Sequence, residues 1–208
     1  MPLDLSEVDN IIFDLGGVIL NIDHDAPIRA FKQLGIPNFQ ALYSKATQSS
    51  LFTDLETGAI SPSEFRDGLR SFLPIPLNDH KLDEAWNSII LDFPVKNIRL
   101  LEKLKSEKRI FLLSNTNTIH LAVFTERLKQ HFGYNALDEL LEKTYYSHEV
   151  GMRKPNKDIF QYVIKDSGVI PDRTLFIDDT IDHVITAKSC HLHTHHLKDN
   201  ESIIELFN

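Results

Sequence analysis

A single cysteine, Cys190, leaves the 208-residue chain without an internal disulfide. Its stability must therefore come from a packed core, and a reducing compartment, the cytoplasm, is expected. Basic residues are also scarce: 22 lysines and arginines against 30 acids give a formal charge of −8. That balance argues against a nucleic-acid partner, whose phosphates normally demand a basic surface. No apolar run approaches the roughly 18 residues of a membrane span. The opening MPLDLSEVDN has neither the basic region nor the apolar stretch of a secretion signal. What is present is ordinary for a globular protein, with 42% apolar and 25% charged residues, in a length that suits one catalytic domain with a modest insert.

The first strong local signal is NIIF at 10–13, which turns abruptly into DLGG. A short apolar run ending in an acid and two glycines reads as a buried strand delivering residues to its carboxyl end, where open α/β sheets place their ligands. Between about Asp25 and Phe93 the pattern is helical, in segments separated by breakers. Ser61, Pro62 and Glu64 spell a capping box with proline at the first helical position. An α/β rhythm resumes after Pro94: helices over 96–106, 119–131, 157–165 and 183–188 alternate with RIFLLSN, LEKTYYS and RTLFIDD, and CHLHTHH reads as an edge strand. The fold class expected is α/β, a Rossmann-like, mostly parallel sheet with helices on both faces and an inserted all-helical cap. The core would comprise 1–21 and 94–208, and the cap 22–93.

Polar groups stand at or just after the expected strand ends: Asp14, Ser114 with Asn115, and Asp178 with Asp179, joined by Lys154. In a parallel sheet these ends share one rim, so distant residues can meet in one crevice. Carboxylates can hold Mg²⁺ or attack phosphorus, and a lysine with hydroxyl and amide donors can balance phosphoryl oxygens. Adjacent residues of a strand face opposite ways, so Asp178 and Asp179 cannot be equivalent ligands unless the strand has ended.

The segments FDLGGVI, LLSNTN, GMRKPNKDIF and FIDDTIDHVITAK resemble, in order, the four signature motifs of haloacid dehalogenase-like hydrolases. DLGGV together with ETGAISPSEF is similar to the branch containing the bacterial glucose-1-phosphate phosphatases. The resemblance implies a phosphomonoester hydrolase in which Asp14 becomes an aspartyl-phosphate. Mg²⁺ would be held by the Asp14 side chain, the Gly16 carbonyl and Asp179. Ser114 would bind a phosphoryl oxygen and Asn115 would add a backbone or side-chain donor. Lys154 would pair with nucleophile and phosphate, and Asp178 would act through water or position Lys154. The substrate implied is a small phosphorylated metabolite, such as a sugar 1-phosphate.

Gly16 departs from the family's usual DxD pattern, whose second acid protonates the leaving oxygen and later activates water; such assistance is worth about 10²–10⁴-fold. Three explanations compete: a substrate with a good leaving group, a substitute donor such as Asp23 or His24, or a catalytically weakened phosphate-binding or protein-interaction module. Mutase chemistry wants the missing acid, and dehalogenation would leave the acidic pair idle. Asp54, Glu56, Arg66 and Arg70 could meet substrate from the cap or form surface ion pairs. Arg153 suits structure or the entrance, Trp86 and Phe93 suit packing, and Asp182 suits helix-start electrostatics. His191, His193 and His195 would share a strand face and could bind a divalent metal, although surface decoration is the plainer expectation.

Overall fold

The computed structural model describes residues 5–48, 50–198 and 201–207, with the side chains of 45–48 left aside; residues 1–4 of the opening segment lie outside the described residues. Five strands, β1 (Asn10–Phe13), β2 (Arg109–Ser114), β3 (Lys143–Tyr146), β4 (Thr174–Asp178) and β5 (His193–His196), form one sheet in the order β3-β2-β1-β4-β5. Every pairing in it is parallel.

The three central strands are buried on both faces, and their side chains sort by the two-residue period of a strand. Ile11, Phe13, Ile110, Leu112, Leu175 and Ile177 join one cluster. Ile12, Phe111, Leu113 and Phe176 join the other. Helices α6 (Val95–Leu104) and α7 (Thr118–Phe132) cover the first face. Helices α9 (Lys157–Ser167) and α10 (Ile181–Ser189) cover the second, and a single turn, α8 (Ser147–Val150), follows β3. The Rossmann-like sheet with helices on both faces is thus the architecture of the chain.

Between β1 and α6 the described residues are helical: α1 (Ala26–Gln33), α2 (Phe39–Gln48), α3 (Leu51–Glu56), α4 (Pro62–Phe72) and α5 (Asp79–Asn87). The helices α2 and α3 are separate, with Ser50 between them at a φ of 64°, in the left-handed region that does not continue a helix. The capping box forms as expected, with Ser61 accepting from the Glu64 N–H and Glu64 from that of Ser61. These helices bury an aromatic cluster of their own that includes Phe31, Phe39, Phe52, Phe65 and Trp86. The two connectors to the sheet run side by side, with hydrogen bonds from Asn21 N–H to Asp92 C=O and from Asp23 N–H to Ile89 C=O, both 2.9 Å.

The helical block docks directly on the sheet domain. Trp86 stacks on His120 with ring centroids 5.2 Å apart, and Asn87 Oδ1 lies 2.8 Å from His120 Nδ1. Gly58 just beyond α3 has φ of +69°, and a Cβ there would sit 2.3 Å from the His148 carbonyl oxygen. Gly58→Ala combines left-handed strain with a backbone clash. It should lower stability by about 1–3 kcal/mol, read as a fall in the thermal unfolding midpoint; an unchanged midpoint would mean that this contact is not formed.

Candidate active site

The sheet order reverses beside β1, because the chain leaves β1 for β2 on one side and returns to β4 on the other. Such a switch point opens a crevice at the carboxyl ends of the strands. Phe13 pairs with Ile177 and the Asp14 N–H donates to Ile177 C=O at 2.9 Å, so Asp14 and Asp178 emerge side by side. Two buried carboxylates abreast repel and must be neutralised.

Lys154 does this. Its Nζ donates to Asp14 Oδ1 and Asp178 Oδ2, both at 2.6 Å, with the Lys154 and Asp178 side chains fully buried. Burial disfavours the charged lysine, yet the two acids outweigh it and hold its pKa above the ordinary value. Burial likewise pushes the Asp14 carboxyl up, to about 6, against the pull of Lys154. Asp178 is buried too, but Lys154 and His183 prevail and hold it below the carboxylate range. His183 Nδ1 lies 3.0 Å from both Asp178 oxygens, and the Thr180 N–H donates to Asp178 Oδ1 at 2.8 Å. Both Asp178 oxygens are therefore engaged.

The acidic pair is resolved by where the strand stops: β4 ends at Asp178, and Asp179 turns back toward the same space. Oxygens of Asp14, Asp178 and Asp179 lie within 4.8 Å of one another. Burial and the neighbouring Asp178 raise the Asp179 pKa. Gly17 makes room for this acid: its φ is +74°, and a Cβ there would lie 2.1 Å from Asp179 Oδ2. Hard oxygen donors gathered at the cleft suit Mg²⁺, and Asp14 and Asp179 have more free oxygen valence for it than Asp178.

Ser114, buried at the end of β2, lines the cleft together with Asn115 and Gly16. The Asn115 side chain is clamped to the backbone of Lys154, donating to its C=O at 2.8 Å and accepting from its N–H at 2.9 Å. Of the two donors considered for Asn115, the side chain is thus directed to holding Lys154 rather than to the cleft. Asn117 caps α7 through the N–H groups of Ile119 and His120, both at 3.0 Å.

Several side chains singled out in the sequence lie elsewhere. Asp23 accepts from the N–H groups of Asp25 and Ala26 at the start of α1 and pairs with Arg29, whereas His24 lines the cleft. Arg66 pairs with Asp83, Arg70 with Asp67 and Asp79, and Asp54 accepts from Ser50. Glu56 is the member of that charged quartet that lines the cleft. The tail histidines do not converge on a metal position among the described residues: His193 donates to Asp172 C=O, His195 pairs with Glu201, and His191 precedes the strand at φ 68°. His196, passed over in the sequence, has Nε2 2.9 Å from Asp179 C=O and so steadies that acid from the edge strand. His120 was also missed; no periodicity distinguishes a cleft histidine from a core one.

The cleft encloses about 300 Å³, walled on the apolar side by Leu20, Ile22, Trp86, Ile89 and Phe124. A doubly wound sheet with a lysine-bridged acid pair at its switch point defines a haloacid dehalogenase-like hydrolase. The sequence profile of that family matches residues 8–191, and the chain belongs to it. It is 34% identical over 174 residues to a D-ribitol-5-phosphate phosphatase of Bacteroides thetaiotaomicron, covering 83% of each chain. It superposes on the crystal structure of a family enzyme from the same organism, a wild-type complex with magnesium and inorganic phosphate, with a TM-score of 0.89, 35% identity and coverage of 97% and 100% of the two chains. A HAD-like family hydrolase structure from Porphyromonas gingivalis gives a TM-score of 0.86 at 33% identity, covering 97% and 96%.

Proposed function

We propose that this chain is a Mg²⁺-dependent phosphomonoester hydrolase that acts on a small sugar or polyol phosphate through an aspartyl-phosphate on Asp14. The observation that carries the reading is the Lys154 bridge, which holds Asp14 fixed and poised at the rim. A lysine fixed there can balance phosphoryl charge as it grows. Asp14, the Gly16 carbonyl and Asp179 are the groups that would hold Mg²⁺, which supplies electrostatic clamping of the phosphoryl oxygens.

In the proposed reaction an Asp14 oxygen attacks phosphorus, the bond to the ester oxygen breaks and the alcohol leaves. Ser114 donates to a phosphoryl oxygen, Lys154 balances its charge, and Asp178 keeps Lys154 in place. Water then attacks phosphorus and the Asp14 carboxylate is released with inorganic phosphate. Residues 22–93 act as a cap that confers selectivity over a core of 1–21 and 94–208. The relative's activity on D-ribitol 5-phosphate and the small cleft support a polyol or sugar phosphate over a larger ester.

The test is phosphate release from sugar 1-phosphates, terminal sugar and polyol phosphates and nucleotides, with Mg²⁺ and with excess EDTA. Metal-dependent release favouring the small sugar or polyol esters is expected. Absence of release from a folded protein that binds Mg²⁺ would overturn the hydrolase reading in favour of a phosphate-binding module.

A further inference from the structure

Hydrolysis of an alkyl phosphate needs a proton for the departing oxygen, and Gly16 cannot supply it. The structure also places an apolar side chain against the position that a side chain there would use. A Cβ on Gly16 would lie 3.2 Å from Ile22 Cδ1, on the connector. The proton must come from another wall of the cleft.

The remaining titratable groups lining it are Tyr43, His24, Glu56, His120 and His183. His183 is tied to both oxygens of Asp178. His120 is held against Asn87 and Trp86, and burial pushes its pKa down to about 4, so near neutrality it carries no second proton to give. Burial and the nearby Glu56 raise the Tyr43 pKa, which suits a phenol poorly to return as a base. His24 stands on the Asp179 side of the cleft, beside the groups that would hold Mg²⁺.

Glu56 differs from all of these. It ends α3, on the cap side of the cleft. Its Oε2 lies 2.9 Å from Arg153 Nε, with 28% of its side chain exposed. Arg153 precedes Lys154 in the chain and also reaches Thr53 Oγ1 at 3.4 Å, so one loop places both the lysine beside the nucleophile and the cation beside this carboxyl. Docking of Gly58 against His148 fixes the end of α3.

Resting on the phosphatase reading above, we propose that Glu56 replaces the missing acid–base residue, protonating the leaving oxygen and then activating the water. In the first step its Oε–H proton passes to the ester oxygen, which keeps the electron pair of the breaking P–O bond while Asp14 gains its bond to phosphorus. In the second, the Glu56 carboxylate takes a proton from water as the water oxygen bonds to phosphorus and the Asp14–P bond breaks. The acid is thereby restored.

The electrostatics agree with that cycle. Burial raises the Glu56 pKa, with Arg153, His183 and Lys154 pulling it back. Tyr43 also faces it. The upward direction is the one an acid–base residue needs, and Arg153 stabilises the anion that transfer leaves.

The experiment compares Glu56→Gln with wild type on D-ribitol 5-phosphate, whose alkoxide needs a proton, and on p-nitrophenyl phosphate, whose leaving group does not. Folding and Mg²⁺ affinity of the variant are checked by thermal unfolding and calorimetry. The expected result is a loss of about 100-fold or more in kcat/KM for the alkyl ester, with near wild-type kcat/KM for the aryl ester. The alkaline limb of the alkyl-ester pH profile should also disappear. Equal losses on both esters, or no loss on the alkyl ester, would overturn the assignment of Glu56 while leaving the phosphatase reading intact. A wild-type protein inactive on both esters would overturn the phosphatase reading and Glu56 with it.

Discussion

Asp14→Asn should abolish phosphate release, with a fall on the order of 10⁴-fold or more, because the covalent route loses its nucleophile outright. The amide matches the carboxylate in shape and leaves Lys154 paired with Asp178, so the fold should survive. Quenching during turnover of ³²P-labelled substrate should trap a phosphoenzyme with wild type and none with the variant; unimpaired turnover by the variant would sink the nucleophile assignment. The variant also carries a stability signature. Asp14 is raised from 3.8 to about 6 in the folded chain, so the folded state binds this proton more tightly than the unfolded state does. Stability contributed by the protonated form is present below 3.8 and is lost as pH rises through about 6. Without metal, Asp14→Asn should escape that loss and match or exceed wild-type stability above about pH 6.

Lys154→Ala should damage both stability and activity. Removing the one cation between Asp14 and Asp178 leaves two buried charges facing each other, an arrangement that costs about 3–5 kcal/mol. Turnover should fall by about 10²–10³-fold through lost charge balance on the phosphoryl group. The pH dependence separates this from simple loss of packing. In wild type Asp178 is held below 3.8, so its stabilising contribution is present above 3.8 and lost as pH falls through the lower folded value. In the variant Asp14 lacks its cation and Asp178 keeps only His183, so protonation of Asp14 relieves the repulsion and the gap from wild type should narrow as pH falls. Urea unfolding at several pH values measures it. A deficit that stays constant with pH would show that the lysine is not neutralising the pair.

Much of this was legible in the residues. NIIF, RIFLLS and TLFID each hold a short unbroken apolar centre because their strands are covered on both faces, and such centres bounded by polar residues and glycine favour buried parallel strands. Ser61, Pro62 and Glu64 announced their helix start because capping is a local interaction. The break at Ser50 was not legible: serine has no preference of its own for the left-handed region it adopts there. The same holds for the charged residues of the helical block. Arg66 and Arg70 differ from Glu56 only in what stands opposite them after folding: the first two meet Asp83, Asp67 and Asp79, and the third meets the cleft.

By itself, then, the sequence determined the class of fold and the chemistry available at the rim, because strand patterning is local and four motifs retain their order along the chain. Only the tertiary structure decided how those groups divide their work. Asp178 is occupied by Lys154, Thr180 and His183 because β4 stops there, while Asp179 turns toward the space beside Asp14. Ile22 stands against the direction opened by Gly16, and Glu56 reaches the same cleft from a separate helical layer. The Lys154 bridge and the approach of Glu56 to Arg153 join segments tens of residues or more apart, set by how the layers pack, and no local preference encodes them.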